Sequence, residues 1–581
     1  MGAPSEEIPD DGVDQDCDGA DLTDLDGDGH PWPEDCDDQD PRVHPDAVET
    51  WYDDVDDDCD GNLDDADGDG FPPTSLGGLD CDDSDGFVHP YAFEVCGDGL
   101  DNDCDGTPGH CAFSDMDQGD ADGVRWGEQV YDHAAFVVPL GDHDSDGFDD
   151  VLIGADQADR PGAYDEGAVY VVYGPIDRHT QLGPEARIRG DREGGRIGTI
   201  IAGDGDVNGD GFTDVLLGAP HLSNPGPTGS GVVCLVAGPV DLDVDMEDWA
   251  CLYGDTEDMD LGTAVLFGPD SNDDGLEDLA LAAPGGVDPS TGEATGLVVL
   301  VPGPFEAGWD SAMDHRLLAG PAPDAGFGTT LLRLDLDADG VDELLVGAPD
   351  TSGQDGQEGA VLVYKADDPE PVHILRGGTQ GLHLGDSLAG GGDVDDDGSP
   401  DLVVATRGDR GSGANSMAWL FLGGQPLGEE DWTRLDAEAT WTGSDDRGPV
   451  TITGVASGGD MTGDGFGDVV FAASSYDHDV NGDGRVPSYE EDTEEHEQGA
   501  AFIVLGPVSG SQDLSQAPCI VGDRADEQLA ESVAMVGDLD GDGLVDLGLG
   551  TTGYDGGQGP RPENGNDPHY GGVFFYLGRA W

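Results

Sequence analysis

Short apolar runs recur along most of the chain, each bracketed by acidic or glycine-rich stretches. Runs such as "VLLGAP" (215–220), "LALAAP" (279–284) and "LLVGAP" (344–349) are too short for helices, and their continuous apolar character predicts strands buried on both faces. Each run sits between the same neighbours. Ahead of it lies a loop of the form D-x-[D/N]-x-D-G-x-x-[D/E]. Ahead of that, a short strand opens on an apolar-Gly pair, as at Ile197-Gly198, Leu261-Gly262, Phe327-Gly328 and Leu384-Gly385. Behind it come a variable loop, a third strand such as "GVVCLVAG" (231–238) or "GAVLVYKA" (359–366), and a fourth such as "ARIRGD" (186–191). The acidic loop begins at Asp142, Asp206, Asp270, Asp335, Asp393, Asp460 and Asp538, in steps of 64, 64, 65, 58, 67 and 78 residues. Seven units of four short strands predict an all-β, seven-bladed β-propeller of four-stranded blades over residues 111–581.

The loops have the chemistry of a cation cage. A hard cation such as calcium takes six to eight oxygens, and carboxylates at positions one, three, five and nine can converge on it, with Gly at six making the turn. Those positions are Asp142, Asp144, Asp146 and Asp150 in loop one, and Asp206, Asn208, Asp210 and Asp214 in loop two. Loop three has Asp270, Asn272, Asp274 and Asp278; loop four has Asp335, Asp337, Asp339 and Glu343. Loop five has Asp393, Asp395, Asp397 and Asp401, loop six Asp460, Thr462, Asp464 and Asp468, and loop seven Asp538, Asp540, Asp542 and Asp546. Solvated Asp-Gly turns would not keep an acid at position nine seven times in register. The expectation is about seven Ca2+ ions in the propeller.

The paired Phe-Gly and Gly-Ala-Pro signatures around an Asp loop, complete in repeat four at Phe327-Gly328 and Gly347-Ala348-Pro349, resemble the FG-GAP repeats of the integrin α-subunit propeller. Repeat one is assigned Trp126-Gly127 as its degenerate pair, and repeat seven Leu529-Ala530. The last repeat ends in "GGVFFYLGRAW" with no fourth strand, so 111–114 of "HCAFSD" (110–115), which lines up with "ACLYGD" (250–255), is expected to close the ring as the outer strand of the last blade. Strand alternation puts every Asp loop on one face and the long insertions 475–498 and 551–571 on the other. The first insertion holds an EF-hand-like loop with Asp479, Asn481, Asp483 and Glu490.

Residues 1–110 form a second, loop-rich domain. "DGVDQDCDG" (11–19), "DDVDDDCDG" (53–61) and "DGLDNDCDG" (98–106) alternate with "DLDGDG…EDCDDQDP" (24–41) and "DADGDG…LDCDDSDG" (65–86). This stretch is similar to MopE-type metal-binding repeats and to thrombospondin type-3 repeats, which implies a region held by calcium and disulfides instead of an apolar core. The ligands so implied are Asp24, Asp26, Asp28 and Asp35, then Asp65, Asp67 and Asp69, with Leu76 at the twelfth place of the second loop and Asp80 four residues later. The triads Asp14/Asp16/Asp18, Asp56/Asp58/Asp60 and Asp101/Asp103/Asp105 could add sites. Pairing Cys17 with Cys36, Cys59 with Cys81 and Cys96 with Cys104 would staple successive turns, and Cys234 could pair with Cys251; the sequence leaves other connectivities open.

Composition narrows the function. Asp and Glu number 129 against 20 Lys and Arg among 581 residues, a formal net charge of −109, which disfavours nucleic acid and anionic membrane as partners. No apolar run reaches the roughly 18 residues of a membrane helix. "MGAPSEEIPDDGV" lacks the apolar core of a signal peptide and the chain opens inside a repeat, so the native N-terminus is expected to be missing. Ten cysteines, seven of them before residue 112, favour an extracellular or cell-surface location. Two Arg-Gly-Asp tripeptides, at 189–191 and 407–409, are read as chance in so Gly- and Asp-rich a chain. "GDSLA" (385–389) and "HEQGA" (496–500) fall short of a nucleophile elbow and a zinc helix, so no enzyme is expected. The function expected is a calcium-binding adhesion or recognition module with an extracellular protein or glycan ligand. The alternatives are a calcium-dependent polysaccharide-binding or polysaccharide-processing propeller of the lectin or lyase class, and a self-assembling structural matrix component.

Overall fold

The computed structural model describes residues 121–578 apart from 160–163, 304–314, 407–415, 477–497, 555–568 and shorter gaps, together with scattered residues between 26 and 104. Residues 1–112 and 113–580 form two compact units, each taken by itself below.

The second unit is a seven-bladed β-propeller. Blade one runs Ala134–Gly141, Asp150–Ala155, Ala168–Val172 and Arg187–Arg189 from the inside outward, all antiparallel. Blade four repeats this with Leu331–Leu334, Glu343–Ala348, Ala360–Lys365 and His373–Arg376. Blade seven takes Ser532–Met535, Leu547–Thr551 and Gly572–Tyr576 from the end of the chain. Its outer strand is Gly123–Trp126, antiparallel to Gly572–Tyr576, so the two ends of the propeller close the ring.

Second and third strands are buried along nearly their whole length, because each blade packs a neighbour on both faces. Seven apolar clusters lie one between each adjacent pair of blades. One of them joins Val151, Ile153 and Tyr170 of blade one to Leu539, Val573 and Phe575 of blade seven. Outer strands would leave unpaired edges. Among the described residues four are covered: His179–Gln181, Val244–Asp245, Trp432–Thr433 and Gly510–Asp513 each lie parallel on the outer strand of the preceding blade.

The glycine signatures have a packing cause. The Gly of one blade's second strand faces the apolar-Gly pair of the next. A Cβ on Gly154 would lie 1.8 Å from the carbonyl oxygen of Gly198, and one on Gly347 would lie 2.3 Å from that of Gly385. In the closing interface Gly550 faces the carbonyl of Ala135 at 1.7 Å.

That contact and the pairing of Gly123–Trp126 correct two assignments. The inner-strand pair of repeat one is Ala134-Ala135, not Trp126-Gly127. Gly127 instead ends an outer strand, donating its N–H to the Gly571 carbonyl as Gly190, Gly254, Gly320 and Gly377 do to Gly167, Gly231, Gly296 and Gly359. Residues 111–114 lie outside the described residues, and the outer strand of the last blade is Gly123–Trp126, further along the chain than expected. In "GVRW" (123–126) only Val124 and the half-buried Trp126 join the apolar core, beside a buried Arg125, which is a weaker apolar signal than the "CAFS" (111–114) that the sequence favoured.

The disulfides differ in part from expectation. Cys36 pairs with Cys59 and Cys81 with Cys104, each across 23 residues, instead of Cys17–Cys36, Cys59–Cys81 and Cys96–Cys104. The bridges therefore join each "DC" (35–36, 80–81) forward to the next "DCDG" element, a choice that spacing alone could not make. Cys234–Cys251 forms as expected, between directly opposed residues of blade two's third and fourth strands. Closing a 17-residue separation corresponds to about 3 kcal/mol in the chain-entropy account. The Cys234→Ala, Cys251→Ala double variant is accordingly expected to lose about 3 kcal/mol in urea denaturation.

Candidate metal centres

All seven Asp loops join the first and second strands of their blades, which places them on one face of the ring. Each is built by its own side chains. The position-one carboxylate accepts backbone N–H groups from positions five and six: Asp142 from Asp146 (2.9 Å) and Gly147 (3.1 Å), Asp393 from Asp397 (3.0 Å) and Gly398 (2.8 Å), Asp538 from Asp542 (3.0 Å) and Gly543 (2.8 Å). The position-five carboxylate accepts the N–H at seven, as Asp210 does from Phe212 and Asp464 from Phe466. These bonds curl the loop so that positions one, three and five face inward. Asp142, Asp144 and Asp150 bring carboxylate oxygens within 4.8 Å of one another, and so do Asp335, Asp337 and Asp339.

Position nine anchors the loop to the blade. Asp150, Asp214, Asp278, Glu343, Asp401, Asp468 and Asp546 are all essentially buried. One oxygen accepts the N–H of position two, for example Val207 to Asp214 at 3.1 Å and Val394 to Asp401 at 2.8 Å. In six blades the other accepts the N–H of the glycine that ends the third strand, Gly174, Gly238, Gly303, Gly423, Gly506 or Gly578, at 2.6–3.1 Å. A carboxylate oxygen has two lone pairs, so these bonds leave capacity for a cation. Burial pushes Asp150, Asp214, Glu343 and Asp401 up to about 6, and Asp468 and Asp546 to about 7, in the metal-free protein.

At position three the donors vary. Asn208 and Asn272 turn their amide oxygens to the position-five N–H at 2.9 Å, and Thr462 donates its hydroxyl to Asp460 at 3.2 Å. Neighbouring loops are tied together. Asp149 accepts the Asp538 N–H at 2.8 Å, Glu277 accepts that of Asp206 at 3.1 Å, and Val545 donates to the Asp460 carbonyl at 3.0 Å. His143 of loop one shares a 2.8 Å bond with Thr213 of loop two.

Loop four holds a positive charge of its own. Lys365 Nζ lies 3.1 Å from Asp337, 2.5 Å from Asp339 and 3.2 Å from Glu343. A cationic group thus sits among three of the four residues read as ligands of this loop, whose donors are all oxygens.

In the first unit, Asp35 is fully buried and its Oδ2 has no hydrogen-bond partner among the described residues; Oδ1 accepts the Asp37 N–H at 2.8 Å. Asp80 is equally buried, and its Oδ1 accepts the Asp82 N–H at 2.9 Å. Asp80, not position twelve, is thus the counterpart of Asp35, and the shared Asp-Cys dipeptide is the signal that marks it. Glu49 was not foreseen. Its carboxylate accepts the N–H groups of Asp57 and Asp58 and clusters with Asp56 and Asp58 within 4.8 Å. Asp26 is half-buried, whereas Asp24, Asp28, Asp65, Asp67 and Asp69, like Asp479, Asn481, Asp483 and Glu490, lie outside the described residues.

Along the inner strands of blades one, two, three and seven a cavity is lined by Phe136, Val138, Ile201, Val265, Thr263 and Ser532 among others, aliphatic and hydroxyl side chains with one aromatic ring.

This is the arrangement of a propeller with cation-type loops on one face, and comparison with known proteins agrees. The FG-GAP repeat model matches residues 135–172, 198–234 and 327–364, in blades one, two and four, beginning at Ala135 where the packing places the first pair. A putative metal-binding motif of the MopE type matches 4–21, 35–65 and 80–108. The chain therefore carries FG-GAP repeats on a seven-bladed propeller, preceded by MopE-type motifs. Integrin alpha-PS2 of Drosophila melanogaster is 37% identical over 118 residues, 19% of this chain and 8% of the integrin. Phosphatidylinositol-glycan-specific phospholipase D of Rattus norvegicus is 32% identical over 177 residues, 29% of this chain and 20% of the phospholipase. Both matches span well under two thirds of the relative. Among solved structures, the Dos1 propeller superposes with a TM-score of 0.35 at 11% identity, over 79% of this chain and 93% of that one.

Proposed function

We propose that the protein is a secreted or cell-surface, non-enzymatic recognition module whose loops bind calcium structurally. The observation that carries this is the ring of seven Asp loops, in register, on one face and hydrogen-bonded to one another. Carboxylates packed this closely repel, each pair costing roughly 1–4 kcal/mol at effective dielectrics of 80 to 20, and divalent cations relieve that repulsion. Residues at positions one, three, five and nine would hold each ion, and its contribution would be charge neutralisation and loop rigidity. With one face so committed, the opposite face, bearing the insertions 475–498 and 551–571, is the surface for an extracellular protein or glycan. The disulfides support an oxidising location. The phospholipase relative shows that such repeats also occur in an enzyme, but the aliphatic lining of the inner-strand cavity offers little to a sugar.

The test is binding of the immobilised full chain to panels of extracellular-matrix proteins and glycans, in millimolar calcium and in chelator. Calcium-dependent capture of one partner class, abolished by substitutions on the insertion face, is the expected result. Capture or cleavage of oligosaccharides with no protein partner would move the reading to the lectin or lyase class. Calcium-driven self-association alone would make the chain a matrix component.

A further inference from the structure

Lys365 is the only lysine in the 581-residue chain. In a molecule of net charge −109 it has acidic partners on every side, yet it sits in the cage of loop four, with Nζ 2.5–3.2 Å from Asp337, Asp339 and Glu343.

Three departures from the common plan coincide in this loop. The residue that ends the third strand and precedes its closing position is Tyr173, Ala237, Pro302, Leu422, Leu505 or Leu577 in the other blades, and none of these carries charge; here it is Lys365. The closing glycine, whose N–H binds the second oxygen of position nine elsewhere, is replaced in the sequence by Ala366. Position nine itself is Glu343 where the other six loops have Asp. The extra methylene carries Oε1 to the ammonium at 3.2 Å, while Oε2 keeps the usual bond from position two, Leu336 N–H at 3.0 Å. Loop four otherwise folds like the rest: Asp335 accepts the N–H groups of Asp339 (3.0 Å) and Gly340 (2.9 Å).

We infer that loop four binds no divalent cation, because the Lys365 ammonium is a built-in replacement for it. A calcium ion on the same oxygens would need to lie 2.3–2.6 Å from each of them, which overlaps the space Nζ fills. The seven-loop ring then takes six ions and one tethered charge, so blade four keeps its loop ordered when calcium is withdrawn. Arg333, on the inner strand of the same blade, pairs with Glu277 of loop three and lies 3.4 Å from Asp342 of loop four, which carries that calcium-independent charge balance to the neighbouring loop. This inference rests on calcium occupancy of the other loops, and its test separates the two.

Bound calcium is counted by elemental mass spectrometry after dialysis for the unsubstituted 581-residue chain and three variants. Asp210→Asn, at position five of loop two, is expected to lose one ion. Asp339→Asn, the same position in loop four, is expected to lose none. Lys365→Met is expected to gain one in excess calcium. A count unchanged by Asp210→Asn would overturn the calcium reading of the other loops. One ion lost in Asp339→Asn, or none gained in Lys365→Met, would overturn the lysine assignment. A readout that needs no variant is amine acetylation of the wild-type chain, since Lys365 is its one ε-amine. Labelling should be slow and independent of calcium; if calcium accelerates it, the ion displaces the ammonium and the inference fails.

Discussion

Transfer of the full chain from excess calcium to chelator at neutral pH is expected to lower the propeller's melting midpoint by on the order of 15 °C. At ligand a hundred times the dissociation constant, each native-only site contributes about 2.7 kcal/mol, so six loops contribute about 16 kcal/mol. At roughly 2 cal/mol/K of unfolding entropy per residue, a unit as long as 113–580 converts about 1 kcal/mol into each degree. The pH dependence should change sign between the two states. Without metal, burial raises Asp150, Asp214 and Asp401 to about 6 and Asp468 and Asp546 to about 7. The native state then binds more protons than the unfolded chain, so stability is highest below the ordinary carboxylate range and falls as pH rises through 6 to 7. With metal the carboxylate form is bound, and stability rises over the same interval. Calorimetry across that interval, with calcium and with chelator, should show two curves that diverge as pH rises. Coincident curves would mean that the loops are solvated turns held by their own hydrogen bonds.

The parts of this architecture that the sequence displays plainly are those where a residue has a backbone task. An Asp at position one must accept two N–H groups, a Gly at six must take positive φ (Gly211 +90°, Gly340 +86°), and an acid at nine must close the loop on the strand behind it. Such demands leave the same letters seven times over. Outer strands make weaker demands. In Gly123–Trp126 only Val124 and the half-buried Trp126 mark an apolar face, and a buried Arg125 lies between them, so the closing strand was sought too early in the chain. Lys365 was visible but silent, because a single basic residue acquires meaning only when the register sets it against Leu422 and Leu577 at the equivalent place. The disulfides were hidden for another reason. Cys36 lies at comparable distances along the chain from Cys17 and Cys59, so spacing alone does not choose between them, and the pairing with Cys59 is read only from the fold.

The second large effect is expected from one methyl group. In Gly154→Ala the new Cβ would lie 1.8 Å from the Gly198 carbonyl oxygen and 2.8 Å from Ile201 Cδ1. The first of these is main chain of the next blade, so relief requires the blades to part. A ring closed by seven such interfaces cannot widen one without straining the others, and the cost should be about 3 kcal/mol or more, at the upper end of overpacking in a core. Blade three shows the limit of the argument from within the same molecule. Ala282 occupies this position there, and its methyl lies 3.2 Å from where a Cβ on Gly328 would stand, so that interface is set for the larger residue. Gly292→Ala is the matched control: its φ is +75°, nothing lies within 4 Å of the added methyl, and about 1 kcal/mol of backbone strain is all it should cost. Urea denaturation of both variants in excess calcium separates the two effects. If Gly154→Ala loses no more than Gly292→Ala, the blades slide freely at this contact, and the glycine signature of the repeat reflects backbone conformation instead of blade spacing.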